Sequence, residues 1–284
     1  MQDILPSFIQ VGELADGFAP DSLAPPHSKE LDGNNLLLCF DDNSAADCRF
    51  DSEGRAHVDI VRPGLASALA EVDGYHASNS LRPGVFFIDF RHGGDARLSL
   101  SLALDLGRQR CTLVSGSLPD AADVRLSAFE RAERELEQSG VAVSFAHGAI
   151  NRPATEAPPP GCGALVGMRN RYRYSPTECY EHIYLNDHFY AWHCLEGVEQ
   201  GLADVDRCHG FQLAQGLYLF VWREKIIPTL GVLLIDLERM QTDGKIFGYQ
   251  GRDFGASRSF RVGARASVVN VVPAQPAVSA ASRE

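Results

Sequence analysis

Arg169-Asn-Arg-Tyr-Arg-Tyr-Ser-Pro-Thr-Glu-Cys-Tyr-Glu-His-Ile-Tyr-Leu-Asn-Asp-His-Phe-Tyr-Ala-Trp-His-Cys194 decides how the chain is read. It alternates with the period of a β-strand, and the alternation breaks at Ser175-Pro176 and at Asn186-Asp187-His188, where turn formers gather. Successive strand residues point to opposite faces, so Tyr172, Tyr174, Tyr180, His182 and Tyr184, which share one parity, can stand on one side of a sheet. Rolled into a small barrel, that side becomes a pocket lined by hydroxyl and imidazole groups. The competing reading is a packed core whose hydroxyls find local partners, as buried tyrosines usually do. Polar rings crowded on one face make that the harder reading, because each buried unpaired polar group costs about 1–3 kcal/mol.

The hairpin register matters as much as the parity. A two-residue loop after Tyr184 would bring His182 and His193 together, whereas a three-residue loop would set Tyr190 and Trp192 beside His182. The first register would favour a metal through His182, His188, His193 and Asp187. No histidine pair follows a metal-binding helix spacing, and no metal is expected.

Working outward, 284 residues hold one large domain or two small ones. A formal net charge of -11 argues against nucleic acid or anionic lipid as a partner, since both need clustered Lys and Arg. Met1 to Gln10 lacks a basic segment followed by a long apolar core, and no apolar run reaches spanning length, so a soluble cytoplasmic protein is expected. The seven cysteines are scattered without a CxxC, which points to free thiols.

Met1 to His27 reads as an irregular lead-in. Strand patterns follow at Leu36–Phe40, Ala46–Phe50, Ala56–Val61, Gly74–Leu81, Gly84–Phe90, Arg97–Leu106 and Cys111–Gly116, joined by turns without helices, as in an antiparallel barrel or sandwich. From Asp120, a plausible N-cap, Phe129, Ala132 and Leu136 recur at helical spacing up to Gly140, predicting one amphipathic helix. Asn151 to Gly161 is too rich in proline for regular structure and reads as a linker. Beyond it earlier patterns recur in the same order. Gly84-Val-Phe-Phe-Ile-Asp-Phe-Arg-His is echoed by Gly216-Leu-Tyr-Leu-Phe-Val-Trp-Arg-Glu, Leu100–Leu106 by Gly231–Leu237, and the Phe40-Asp-Asp hairpin tip by Leu185-Asn-Asp. These echoes suggest a tandem duplication. The predicted organisation is an N-terminal barrel over 1–118, a helix and linker over 119–164, a C-terminal barrel over 165–270 and a disordered tail over 271–284.

In the run Gly216–Glu224, Tyr218, Phe220, Trp222 and Glu224 share one side. A glutamate at the mouth of such a face either faces solvent or sits where desolvation raises its pKa into the range of a useful acid. The tyrosine wall favours the second. No phosphate loop or nucleophile turn is present.

Leu165-Val-Gly, Arg171-Tyr-Arg-Tyr-Ser-Pro-Thr, Tyr180-Glu-His-Ile-Tyr-Leu-Asn, Trp192-His-Cys-Leu-Glu-Gly-Val-Glu-Gln-Gly-Leu-Ala-Asp and Gly248-Tyr resemble the C-terminal half of the molybdenum cofactor biosynthesis protein F (MoaF) family. Tyr75-His-Ala, Arg82-Pro-Gly-Val-Phe-Phe-Ile-Asp-Phe and Leu104-Asp-Leu resemble its N-terminal domain. The resemblance implies two lipocalin-like (calycin) antiparallel β-barrels in tandem, a mainly β fold, and no secure reaction. More distantly, Tyr172-Arg-Tyr, Tyr180-Glu, Asn186-Asp-His and Gly216–Glu224 resemble the cofactor-free phenolic acid decarboxylases. That likeness implies that Tyr172 and Tyr174 hold an anionic substrate oxygen and that Glu224 is the acid/base carboxyl. The arginine of that family is missing: Leu202 stands in its place, and His182 replaces an aliphatic residue.

The expectation is a cofactor-free acid/base enzyme of lyase, isomerase or cyclase type, acting on a small aromatic or conjugated anion in the C-terminal barrel. Tyr172, Tyr174, Glu224 and His182 would carry the chemistry, with Tyr180, Tyr184, Tyr190, Trp192, Phe220 and Trp222 as the wall. The rival is a carrier or sensor that binds a pterin or other small molecule without turning it over. A third reading makes the first barrel a scaffold or homodimer surface, which its apolar inner positions would suit.

Overall fold

A computed structural model describes residues 7–62 and 72–272. Turn-punctuated alternation gives a first set of strands: β1 (Asn35–Phe40), β2 (Ala45–Phe50), β3 (Ala56–Arg62), β4 (Val72–Arg82), β5 (Val85–His92), β6 (Leu98–Asp105), β7 (Arg110–Ser117) and β8 (Ala142–Ile150). They form an 8-stranded sheet in the order β3-β2-β1-β8-β7-β6-β5-β4. Every ladder is antiparallel, and β8 returns to β1 through Leu38↔Ile150, so the sheet curls into a barrel left open at the β3–β4 seam. The second set, β9 (Met168–Arg173), β10 (Cys179–Tyr184), β11 (Phe189–Glu196), β12 (Ala203–Ala214), β13 (Leu217–Glu224), β14 (Thr229–Asp236), β15 (Gln241–Tyr249) and β16 (Ser257–Val271), closes fully when β16 pairs with β9. Two tandem antiparallel barrels are what the resemblance implied.

Two of the three echoes occupy equivalent places, β5 with β13 and β6 with β14. The third does not. Phe40-Asp-Asp turns between the first and second strands of its barrel, Leu185-Asn-Asp between the second and third. Asp/Asn tips suit any tight hairpin, so that likeness reflects turn chemistry rather than descent.

The segment between β7 and β8 departs from the single predicted helix over 120–140. A 3₁₀ turn spans Asp123–Arg125 and α2 only Ala128–Glu133. Ser127 and Glu130 make a capping box that starts the helix late, while the Asp120 carboxylate caps its own turn through the Ala122 and Asp123 amides. Phe129 and Leu136 stay exposed, so the apolar spacing there packs against nothing. β8 itself has no strong signature in sequence. It is short of large apolar residues and is placed by pairing with β1 and β7. The segment before β1 is not wholly irregular either: α1 covers Val11–Phe18. The tail expected over 271–284 lies outside the described residues apart from Val271 and Val272.

β13 and β14 are buried almost end to end, which is why they read as continuous apolar runs. One face lines the second barrel. The other packs on the first, where Leu219, Val221, Leu230, Val232 and Leu234 meet Val85, Phe87, Ala103 and Val114 in one cluster. Buried ion pairs stitch the seam: Arg82 clasps Asp236 at 2.6 and 3.0 Å, and Lys245 meets Asp89. Among the described residues no helix is long and apolar enough to cross a membrane.

Candidate functional site

The β10–β11 register settles where the rings point. His182 pairs with Trp192 and Tyr184 with Tyr190, while His193 pairs with Glu181 on the opposite face. The register that would have joined His182 to His193 is therefore not formed. Tyr172, Tyr174, Tyr180, His182 and Tyr184 are all buried inside the barrel with Tyr190, Trp192, Phe220 and Trp222. Trp222 owes its place to Gly231 across the ladder: a Cβ on Gly231 would fall 2.0 Å from the indole. Only a residue without a side chain admits the ring there.

The structure divides the ten predicted residues into two layers. Tyr174, Tyr180, His182, Tyr190, Trp192, Trp222 and Glu224 line one cavity. Tyr172, Tyr184 and Phe220 sit behind it in the packed barrel, where the Tyr172 and Tyr184 hydroxyls bond each other at 2.7 Å and Asn170 Nδ2 donates to Tyr172 at 3.2 Å. Tyr172 thus spends its hydroxyl on its neighbours and does not form, with Tyr174, the substrate-holding pair the resemblance implied. Burial pushes the Tyr172 phenol up to about 12. Tyr174, which does face the cavity, has no protein hydrogen-bond partner among the described residues; its phenol and that of Tyr190 are raised further by burial.

The carboxyls are the more informative groups. Glu224 accepts from Trp222 Nε1 at 2.9 Å, and its pKa is held well above the ordinary carboxylate value by burial and then by the nearby Asp206 and Glu199 charges. Glu199 lines the same cavity and accepts from the Tyr180 hydroxyl at 3.2 Å; burial brings its pKa up to about 7. Asp206, raised by burial, accepts from Trp192 Nε1 at 2.9 Å. Reading the sequence missed Glu199 and Asp206. Their signal was slight, a glutamate in the Gly197–Gly201 turn and an aspartate on a plain strand, and only the closed barrel makes them converge.

His182 differs from its expected role. Burial alone lowers its pKa to about 3, so the ring is neutral near pH 7 and is a hydrogen-bonding group rather than a proton carrier. Its buried Nδ1 has no hydrogen-bond partner among the described residues. Leu202, where the decarboxylase arginine would stand, is packed in the core, and the cavity lining contains no Lys or Arg. Among the described residues no three His, Cys, Asp or Glu side chains gather as a metal site needs.

The mouth is covered by α1. Val11, Leu14, Ala15 and Phe18 fall at i, i+3, i+4 and i+7 and are buried, while Glu13 and Asp16 face out. The Phe18 ring lies 5.1 Å from Tyr174 and 5.7 Å from Tyr180, and the Ile9 amide donates to Glu199. With Leu14 and Phe18 in place, about 30 Å³ stays free, room for one or two waters. The rings do face inward as expected, but the hollow is not of ligand size in this structure, and Leu14 and Phe18 of α1 are part of its lining.

Fold and lumen together define the class: a tandem pair of eight-stranded antiparallel barrels, the second enclosing a chamber walled by aromatic rings and protonatable carboxyls. Residues 6–120 match the MoaF N-terminal domain and residues 161–272 the MoaF C-terminal domain. Over 266 residues the chain is 47% identical to Protein MoaF of Klebsiella aerogenes, covering 93% of this chain and 96% of that one. It belongs to the MoaF family. A crystal structure described as "a putative beta-lactamase from Burkholderia vietnamiensis" matches 40% of this chain and 100% of its own at 15% identity and a TM-score of 0.32, a likeness too weak to bear on fold or function.

Proposed function

We propose that the second barrel is a cofactor-free acid/base site for a small aromatic or conjugated molecule, admitted when α1 lifts. The observation that carries this reading is the pair Glu199 and Glu224, two carboxyls lining one chamber, both with pKa values raised chiefly by burial. Such a pair offers a proton donor and an acceptor side by side near neutral pH. We assign the acid to Glu224, beside the Trp222 Nε1, and the base to Glu199, whose pKa of about 7 lies near neutrality. The Tyr174 and Tyr190 hydroxyls, for which no hydrogen-bond partner is found among the described residues, donate to a substrate oxygen that gains charge, in a lining without Lys or Arg. His182 Nδ1 supplies a fixed acceptor or, in the other tautomer, a donor. The seven cysteines are buried free thiols, which suits a reducing compartment and supports a cytoplasmic location.

The test is product formation from a panel of small conjugated acids, hydroxycinnamates first, followed by absorbance. Loss of turnover in Tyr174→Phe and Glu224→Gln with the fold intact supports the reading; full activity in both removes it. The lid also suits a carrier that closes over its cargo. Saturable binding without product, and Glu224→Gln altering affinity alone, would select that reading instead.

A further inference from the structure

The first barrel has an opening of its own. A cleft of about 640 Å³ lies at one end of the sheet, floored by Tyr75 and His76 of β4 and walled by Asp89 and Arg91 of β5 and by His27, Lys29 and Asp32 of the strap before β1. That is the size of a small-molecule pocket.

Its polar groups are not balanced among themselves. Of its carboxylates, Asp89 is paired with Lys245 and Glu53 meets Arg55 at 3.5 Å, while Asp32 accepts from the neutral Tyr75 hydroxyl at 2.9 Å and keeps its charge. Neither Lys29 nor Arg91 has a carboxylate partner among the described residues, although the chain as a whole carries a net charge of -11. The backbone orients one of the two imidazoles. His27 Nδ1 accepts from the Ala77 amide at 3.1 Å, which leaves its proton on Nε2. Among the described residues the buried Nε2 of His76 has no hydrogen-bond partner. The His76 ring is neutral near pH 7, its pKa lowered to about 4 by burial and by the Arg261 cation, so that the bare nitrogen is an acceptor. A buried acceptor left open costs stability unless something donates to it.

We propose that this cleft is a second binding site, selective for a small anion that also carries an O–H or N–H donor: Lys29 and Arg91 take the charge, and His76 Nε2 takes the donor. The assignment is independent of any activity in the second barrel. A site built around a buried acceptor rejects an otherwise similar ligand that lacks the donor, since binding it would seal the nitrogen away unpaired.

Inorganic phosphate and sulfate separate the two requirements. They share shape and negative charge, but near pH 7 only phosphate has an O–H. Full-length protein is titrated with each by calorimetry while the His76 ring resonances are followed by NMR. The expected result is one phosphate per chain with a saturable His76 shift, and sulfate weaker by about tenfold or more. His76→Gln, which keeps an acceptor near the Nε2 position, retains the preference; His76→Phe loses it; Arg91→Ala weakens both anions. Equal affinity for the two anions, a His76 resonance that does not move, or a preference surviving in a folded His76→Phe overturns the proposal.

Discussion

Replacing Glu199 by glutamine tests the chamber's electrostatics before any substrate is known. The carboxyl is 8% exposed, and its pKa rises from the usual 4.5 to about 7, chiefly through burial. A carboxyl raised on folding means that the native state holds its proton over a range where the unfolded chain has lost it. Stability from this group is therefore complete below about pH 4.5, falls as pH rises through the interval, and is gone above about 7. At about 1.4 kcal/mol per pH unit the change amounts to about 3 kcal/mol. In Glu199→Gln the side-chain amide oxygen would still accept from Tyr180 and from the Ile9 amide, but the group cannot ionise. Urea unfolding at matched ionic strength should show the two proteins alike at low pH and the variant more stable by about 3 kcal/mol at pH 8. Glu224 and Asp206 contribute slopes of the same sign in both proteins; because the Glu199 charge also helps to raise Glu224, the difference reports Glu199 together with its effect on that neighbour. A difference that does not change with pH, or a variant less stable at pH 8, would refute the reasoning.

Three further outcomes follow from the packing. Phe18→Ala removes a buried ring that in a rigid core would cost about 3–5 kcal/mol; here the loss should fall on α1, an eight-residue helix with no side-chain N-cap bond, so hydrogen exchange should speed up over Val11–Phe18 and leave β9–β16 protected. Equal loss of protection in the strands would show that α1 is part of the fold rather than a cover. Gly231→Ala drives a methyl into the Trp222 indole and should cost about 1–3 kcal/mol and shift tryptophan emission, whereas an unchanged spectrum would mean the ring does not lie where the ladder puts it. Arg82→Met leaves Asp236 fully buried with the Glu238 and Arg239 amides and, at 3.4 Å, the Arg239 side chain as its remaining partners, and should cost about 3–5 kcal/mol in a denaturant melt; a loss under about 1 kcal/mol would make the inter-barrel pair no more than a surface contact.

The strands were legible because each barrel wall carries a local signature, alternation on β9–β11 and unbroken apolar runs on β13 and β14, whose outer faces are covered by the first barrel. Parity alone was enough to bring Tyr174, Tyr180 and His182 to one cavity. It could not tell that Tyr172 and Tyr184 would satisfy each other at a depth where nothing reaches them. β8 was invisible because its partners β1 and β7 give it its place, and α2 was overdrawn because apolar spacing in 120–140 was read without asking what it packs on. α1 did carry the i, i+3, i+4, i+7 pattern, in a segment whose glycines and prolines masked it. Glu199 and Asp206 acquire their character only from tertiary burial, a quantity no local window contains.

Both tryptophans of the chain, Trp192 and Trp222, line the chamber, so intrinsic fluorescence reports directly on whether it admits a guest. The most direct measurement is a titration of the wild type and of Phe18→Ala with a hydroxycinnamate, corrected for inner-filter absorption. Opening of α1 onto a binding chamber predicts saturable quenching at one site per chain, with tighter binding once the Phe18 ring is gone. Quenching that rises linearly without saturation, equally in both proteins, would contradict it.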